Sequence, residues 1–207
     1  MGRIDRILAV FDEMYPDART ELLHRNPFEL LVAVILSAQS TDAAVNRVTP
    51  SLFESFPTPA SFADASLQDL ETAIKTIGLY RNKAANIKAT ARMIIENHGG
   101  EVPRTYHALT ALPGVGRKTA NVVLSVAFHV PRIAVDTHVE RVSKRLRLAS
   151  MDDAPHVVEE KLMRKVPRSR WVRLHHQMIF FGRYHCKAKR PECERCKLRA
   201  DCRYPNI

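Results

Sequence analysis

With 207 residues, 45% of them hydrophobic, the chain can bury a proper core as one large domain or two small ones. Lys and Arg number 32 against 22 Asp and Glu, and the net charge of +10 suits a partner made of phosphates, although a soluble basic protein without a nucleic-acid role carries the same excess. The apolar run at 28–38 is broken by Glu29 and Ser37 and is far short of a bilayer span, the charged start (Arg3, Asp5, Arg6) leaves no secretory h-region, and Arg6 spoils a myristoylation motif after Gly2; no membrane and a cytoplasmic location are therefore expected.

The chain is helical almost throughout. Ile4, Ile7, Leu8 and Phe11 give the first helix one apolar face. Residues 27–38 read as a buried helix with Pro27 in its first turn. Ser40-Thr41-Asp42 opens the next, which Pro50 is expected to kink or end. Ser66 caps a helix running to Ile77 and stopped by Gly78. Residues 81–97 form another, stopped by Gly99-Gly100. A short helix leads to Leu112, and residues 117–129 are apolar on most sides, as befits the centre of a fold. Helices at 137–147, 154–166 and 171–184 follow. No sustained two-residue alternation and no repeat occurs, so the fold class is all-α, with a soft boundary near His129–Pro131.

Leu112-Pro113-Gly114-Val115-Gly116-Arg117-Lys118-Thr119 carries the first specific signal. Its glycines permit unusual backbone angles and close approach, and the helix that follows exposes unpaired N–H groups able to hold a phosphate. A P-loop is excluded because Arg117 separates Gly116 from Lys118, and a dinucleotide fingerprint because position 119 is Thr. The context of helix, Leu-Pro-Gly-Val-Gly turn and helix resembles the helix–hairpin–helix motif, which holds DNA backbone without reading sequence. Lys118 sits beside the positive helix end, Arg117 and apolar packing; those surroundings suit a neutral amine, which attacks electrophilic carbon. An ordinary phosphate-binding lysine is the alternative. Asp136, in Ala134-Val135-Asp136-Thr137-His138-Val139-Glu140, is a catalytic carboxylate candidate, although Asp or Thr before a helix is a good cap and Thr137 with Glu140 makes a capping box.

Cys186, Cys193, Cys196 and Cys202 all lie in the last 22 residues. In a reducing compartment this clustering points to metal, and the two-residue gap lets two thiolates meet one centre. Zinc is the default for four such cysteines. His185 adjoins Cys186, but four cysteines already suffice; the adjacent His175 and His176 point different ways on a helix and read as structural.

These segments, with Leu36-Ser37-Ala38-Gln39-Ser40-Thr41-Asp42 and Ile77-Gly78-Leu79-Tyr80, resemble the endonuclease III family over nearly the whole chain. The resemblance implies a six-helix barrel domain with the hairpin (residues 20–130) and an iron–sulfur domain from both chain ends (1–19 and 131–207), with one 4Fe-4S cluster on the Cys-x6-Cys-x2-Cys-x5-Cys pattern. It implies a DNA glycosylase and AP lyase of base excision repair, acting as a monomer on double-stranded DNA that contains damaged pyrimidines or abasic sites. Lys118 would be the nucleophile and Asp136 the base and electrostatic partner. Gln39 would fill the hole left by the flipped base, and Leu79 would be the opposing wedge. Gly114, Val115, Gly116, Arg117 and His138, with Lys187, Lys189 and Arg190 in the first cysteine loop, would contact DNA. A non-catalytic DNA-binding module leaves the Lys118–Asp136 pair unexplained, and an electron-transfer iron–sulfur protein has no use for the hairpin. The adenine-mispair branch generally lacks the lysine and carries an extra C-terminal domain, whereas this chain ends five residues after Cys202.

Overall fold

A computed structural model describes residues 2–204, and every regular element among them is helical. The chain forms two compact units, one of residues 21–130 and one that joins 1–20 to 131–207.

The 21–130 unit is organised around α2 (Pro27–Leu36), in which every residue from Phe28 to Leu36 is buried. Asn26 caps it by accepting from the Glu29 amide, and Pro27 fills the first position, where a missing N–H costs nothing. The buried Glu29 carboxylate is satisfied by the Arg25 backbone and guanidinium, at 2.7 and 2.9 Å. α3 (Asp42–Ser55) starts on a Thr41 cap. It does not end at Pro50 but continues to Ser55, because Val48, Thr49, Leu52 and Phe53 on either side of the proline are all buried and hold the helix to the core. α4 (Pro59–Asp64) has no counterpart among the expected elements, although Thr58 and Ser61 form a capping box and Pro59 occupies its first turn. Its Phe62 sits against Phe28 at 5.3 Å and Phe56 at 5.6 Å.

α5 (Leu67–Ala73) begins on Ser66 as expected but stops before Ile77. Ile74 and Ile77 are both buried, so the chain leaves helical geometry between them to seat both. α6 (Tyr80–His98) ends at Gly99, whose φ of +60° suits glycine. α7 (Tyr106–Thr110) and α8 (Arg117–Ala127) complete the unit, and α8 packs on α2 through a stripe from Ala120 to Ser125.

The second unit holds α1 (Arg3–Met14), α9 (Thr137–Arg145), α10 (Pro155–Lys165) and α11 (Trp171–Phe180). Its core gathers Ile7, Leu8 and Phe11 of α1 with Val139, Val142, Val158, Leu162, Leu174 and Met178. Phe11 meets Phe181 edge to face at 5.2 Å. Asp12 takes hydrogen bonds from Arg170 at 2.7 Å and Gln177 at 3.0 Å, tying α1 to α11. α11 does not end as an α-helix: residues Phe181–His185 widen into a π turn. No helix of the described residues is long and apolar enough to cross a membrane.

Candidate functional site

The hairpin turn lies between α7 and α8. Leu112 and Val115 are buried, and the Val115 amide donates to the Leu112 carbonyl at 3.1 Å. Thr90 of α6 donates to the Pro113 carbonyl at 2.8 Å, which anchors the turn. Gly114 is required twice over: its φ is +75°, and a Cβ there would meet the Asn86 side chain at 3.0–3.2 Å. Gly116 is different. Its φ is −90°, and a Cβ would find nothing within 4 Å. The chain itself does not demand glycine at 116. As the residue before α8 it offers no side chain to cap the first turn, so those N–H groups receive no side-chain cap. Arg117 is exposed beside them, and Lys118 is half-buried in the same turn. The resulting surface combines uncapped N–H dipoles, a cation and open space, which is what an approaching anion needs.

Gln39 and Leu79 both adopt the left-handed conformation, with φ of +55° and +59°. For residues with a Cβ this costs about 1–2 kcal/mol each. Both are exposed, Leu79 to 56%, so neither gains burial within the protein in return. Strain of this kind persists only where the surrounding structure fixes it. The two turns are neighbours: Gly78 lies about one van der Waals contact from the Ser40 hydroxyl, 4.0 Å from a Cβ built on it. Lys83, which sequence reasoning passed over, is buried beneath them and donates to the Leu36 carbonyl at 2.8 Å and the Ser40 hydroxyl at 3.0 Å.

In the second unit Asp136 is itself the cap of α9. Its Oδ1 accepts from the His138 and Val139 amides at 2.9 and 2.8 Å, and Oδ2 takes no part in the cap. The Thr137–Glu140 capping box does not form; Glu140 pairs instead with Lys144 one turn on, at 2.5 Å. His138 is half-buried, with Nδ1 at 3.1 Å from the Arg141 guanidinium. Its Cβ lies so close to Gly182 that any side chain there would come within 2.9 Å of it. Lys118 and Asp136 thus belong to different units of the fold.

The four cysteines line one recess, walled by Leu146, Phe181 and Pro191. Two arginines one turn apart on α9 shape its first loop. Arg141 donates to the Gly182 and Cys186 carbonyls at 2.7 and 3.1 Å. Arg145, only 7% exposed, donates to the Lys187 carbonyl at 2.8 Å and to Cys186 Sγ at 3.3 Å, with its guanidinium 3.7 Å from the Tyr204 ring centroid. The Tyr204 amide donates to Cys202 Sγ at 3.4 Å. Donors aimed at sulfur suit thiolates, and a lining of four cysteines suits a sulfur-ligated group. Burial pushes the Cys196 and Cys202 thiols up, so a cationic group is what would hold them deprotonated. Among the described residues no three His, Cys, Asp or Glu side chains are gathered for a single ion. Lys187, Lys189 and Arg190 are exposed on the first loop; Lys187 pairs with Glu192 at 3.2 Å, and Arg190 has a φ of +51°. The sequence marked the sulfurs but not Arg141 and Arg145, whose only signal was an i, i+4 spacing on a strongly one-sided helix.

An all-helical chain whose two glycines turn one helix onto another, with basic residues beside the turn, is a helix–hairpin–helix protein. Residues 32–168 match the HhH-GPD superfamily of base excision DNA repair proteins. The endonuclease III of Bacillus subtilis (strain 168) is 58% identical over 203 residues, 98% of this chain and 93% of the relative. A solved structure of a trapped endonuclease III–DNA covalent intermediate, an estranged-adenine complex, is 55% identical with a TM-score of 0.96, covering 100% of this chain and 98% of that one. A non-covalent endonuclease III–DNA complex is similar to the same degree, with 55% identity, a TM-score of 0.96 and coverage of 100% and 97%. The chain belongs to the endonuclease III family within the HhH-GPD superfamily.

Proposed function

We propose that the protein is a bifunctional DNA glycosylase and AP lyase that removes oxidised pyrimidines from duplex DNA. The observation that carries this reading is Lys118 in the uncapped, glycine-led first turn of α8. The same turn can hold the backbone of the DNA and present an amine beside it. The likeness to a structure described as a covalent enzyme–DNA intermediate supports a nucleophilic amine.

The flipped nucleotide exposes C1′, which is inaccessible within the stack. The Lys118 amine forms a bond to C1′ through its nitrogen lone pair as the base departs with the glycosidic electron pair and a proton. Asp136, whose Oδ1 is fixed by two amides, offers Oδ2 to accept a proton and to stabilise positive charge on the sugar. Loss of the amine proton lets the nitrogen lone pair form the C=N bond as the C1′–O4′ bond breaks; O4′ leaves with that electron pair and takes up a proton, so the sugar ring opens and an imine joins enzyme to sugar. Removal of a C2′ proton then expels the 3′ phosphate and breaks the strand by β-elimination, and water hydrolyses the imine to free Lys118. Gln39 and Leu79 enter the duplex from the two neighbouring turns, while Gly114, Val115, Gly116, Arg117, His138, Lys187, Lys189 and Arg190 hold its backbone.

Cys186, Cys193, Cys196 and Cys202 would hold one 4Fe-4S cluster, whose service here is to fix the basic loop after Cys186. On this reading residues 21–130 are the barrel domain, the remaining unit is the iron–sulfur domain, and the protein works as a monomer in the cytoplasm, at the nucleoid.

One thymine-glycol duplex tests the chemistry with three proteins, each checked by circular dichroism. Lys118→Gln keeps most duplex binding, since it removes one charge from a +10 surface, but loses excision and borohydride trapping. Asp136→Asn keeps most of the capping ability and slows excision by roughly a hundredfold or more. Covalent trapping by Lys118→Gln would place the nucleophile elsewhere.

A further inference from the structure

We infer that Lys83 is a positioning residue for lesion recognition, fixing the two probing turns in one register through a buried amine. This rests on the reading that Gln39 and Leu79 enter the duplex. The amine reaches across 47 residues of sequence to the Leu36 carbonyl and also binds the Ser40 hydroxyl, so it clasps the Gln39 turn on both sides. Its own backbone amide donates to the Leu79 carbonyl at 3.1 Å, which closes the first turn of α6 on the other probing residue. One residue therefore bonds to both turns.

The placement is costly to build and is not explained by core packing. Lys83 is 4% exposed on a stripe otherwise made of Ala84, Ile87, Thr90, Ala91 and Ile94, where an apolar side chain would be easier to bury. Leu36 is the last residue of α2, and its carbonyl is one of those a helix end leaves without an intrahelical partner. A lysine can supply that partner, but a water or a serine would satisfy the carbonyl equally well. What the long side chain adds is a link from α6 to the Gln39 turn. Burial pushes the amine below the ordinary lysine range, and either protonation state has hydrogens enough for both bonds. The Gln39 turn is held at its far end as well, by Thr41 capping α3 at 3.2 Å. Two strained, exposed residues on turns that moved independently would have to be ordered at each encounter; the clasp removes that entropic cost before DNA arrives.

The test uses the iron-loaded full chain and two duplexes that cannot be cleaved. One is undamaged. The other carries a tetrahydrofuran abasic analogue opposite 2-aminopurine, whose fluorescence reports the base facing the gap. Lys83→Met keeps side-chain length and favours burial. It is expected to bind undamaged duplex within about twofold of wild type and to bind the abasic duplex roughly tenfold more weakly, the size of one charge-assisted hydrogen bond. The 2-aminopurine change at saturation should shrink, and in a Leu79→Ala background the same substitution should add little, because both act on one event. A merely structural lysine would weaken both duplexes alike and add fully to Leu79→Ala, and either result overturns the proposal. If Lys83→Met does not fold, Ser40→Ala removes one acceptor from an exposed turn; an unchanged ratio of the two affinities would then overturn it. If Gln39→Ala and Leu79→Ala leave the ratio and the fluorescence unchanged, the insertion reading itself fails and the clasp falls with it. If those two variants lower the ratio but Lys83→Met does not, insertion stands and the clasp alone is wrong.

Discussion

Gly114 and Gly116 stand two positions apart and are glycines for different reasons. Gly114 answers to the protein, through its positive φ and the Asn86 side chain against it. Gly114→Ala should lower stability by about 1–2 kcal/mol, roughly 2–8 °C of melting temperature in a chain of this size. Gly116 has ordinary backbone angles and open space where a Cβ would go. Gly116→Ala should stay within about 1 kcal/mol of wild type. It should nevertheless weaken duplex binding by roughly tenfold, because the methyl group stands where phosphate would meet the first-turn N–H groups. Thermal melts and duplex titrations of the two variants separate the cases; equal affinity for Gly116→Ala and wild type would remove the turn from the interface. The sequence marked both glycines with one motif and could not tell these reasons apart, since Asn86 approaches from another helix.

At the scale of elements, α9 shows how one short helix serves two purposes. Its first residue follows the Asp136 cap, and its last, Arg145, lies under the cysteine loop. The π turn after α11 brings Cys186 to that arginine: the Cys186 amide donates back to the Phe181 carbonyl, and Gly182 leaves room for His138. Wild-type protein should hold about four irons per chain, the content of one 4Fe-4S cluster. Arg145→Met should still bind iron through its four thiols but lose it faster in air, because Cys186 Sγ and the Lys187 and Ala188 carbonyls lose their donor. Iron analysis and visible absorbance over time measure both. One zinc and no iron in wild type would refute the cluster; an unchanged decay in Arg145→Met would refute the role of the arginine. Element boundaries were legible at Pro27, Ser66 and Gly99, where a first-turn proline, a cap or a glycine marks them. They were not at Pro50 or Ile74, where burial of the flanking residues decides.

The whole molecule should lose stability in mild acid. His175 and His176 are both buried, their rings 4.8 Å apart, and burial pushes His176 down to about 3, with the neighbouring His175 adding to the shift. The folded chain therefore refuses a proton that the unfolded chain binds near the ordinary value of 6.5. That stability is complete above about pH 6.5 and falls as the pH drops toward 3. The loss approaches about 1.4 kcal/mol per pH unit inside the window. The carboxylate of Asp153, held below its usual range by the hydrogen bond from Lys161, contributes only at lower pH. Urea unfolding at pH 7, 6 and 5 should show a shallower decline in His176→Leu than in wild type. Parallel declines would mean that the imidazole is not the titrating group.

By itself the sequence determined the helical class, the hairpin and the clustering of four cysteines near one end. Each of those signals is local: a cap and its amides lie within three residues, a glycine turn is read from its own neighbours, and the cysteines fall close together in the chain. The tertiary structure decided what depends on distant contacts. The left-handed backbone at Gln39 and Leu79 is invisible in residue types that rarely adopt it. The burial of Lys83 and Arg145 could not be read from a chain in which lysine and arginine are ordinarily exposed. A charged side chain becomes a clasp only when a helix end or a loop from elsewhere folds over it and supplies the acceptors that offset its desolvation.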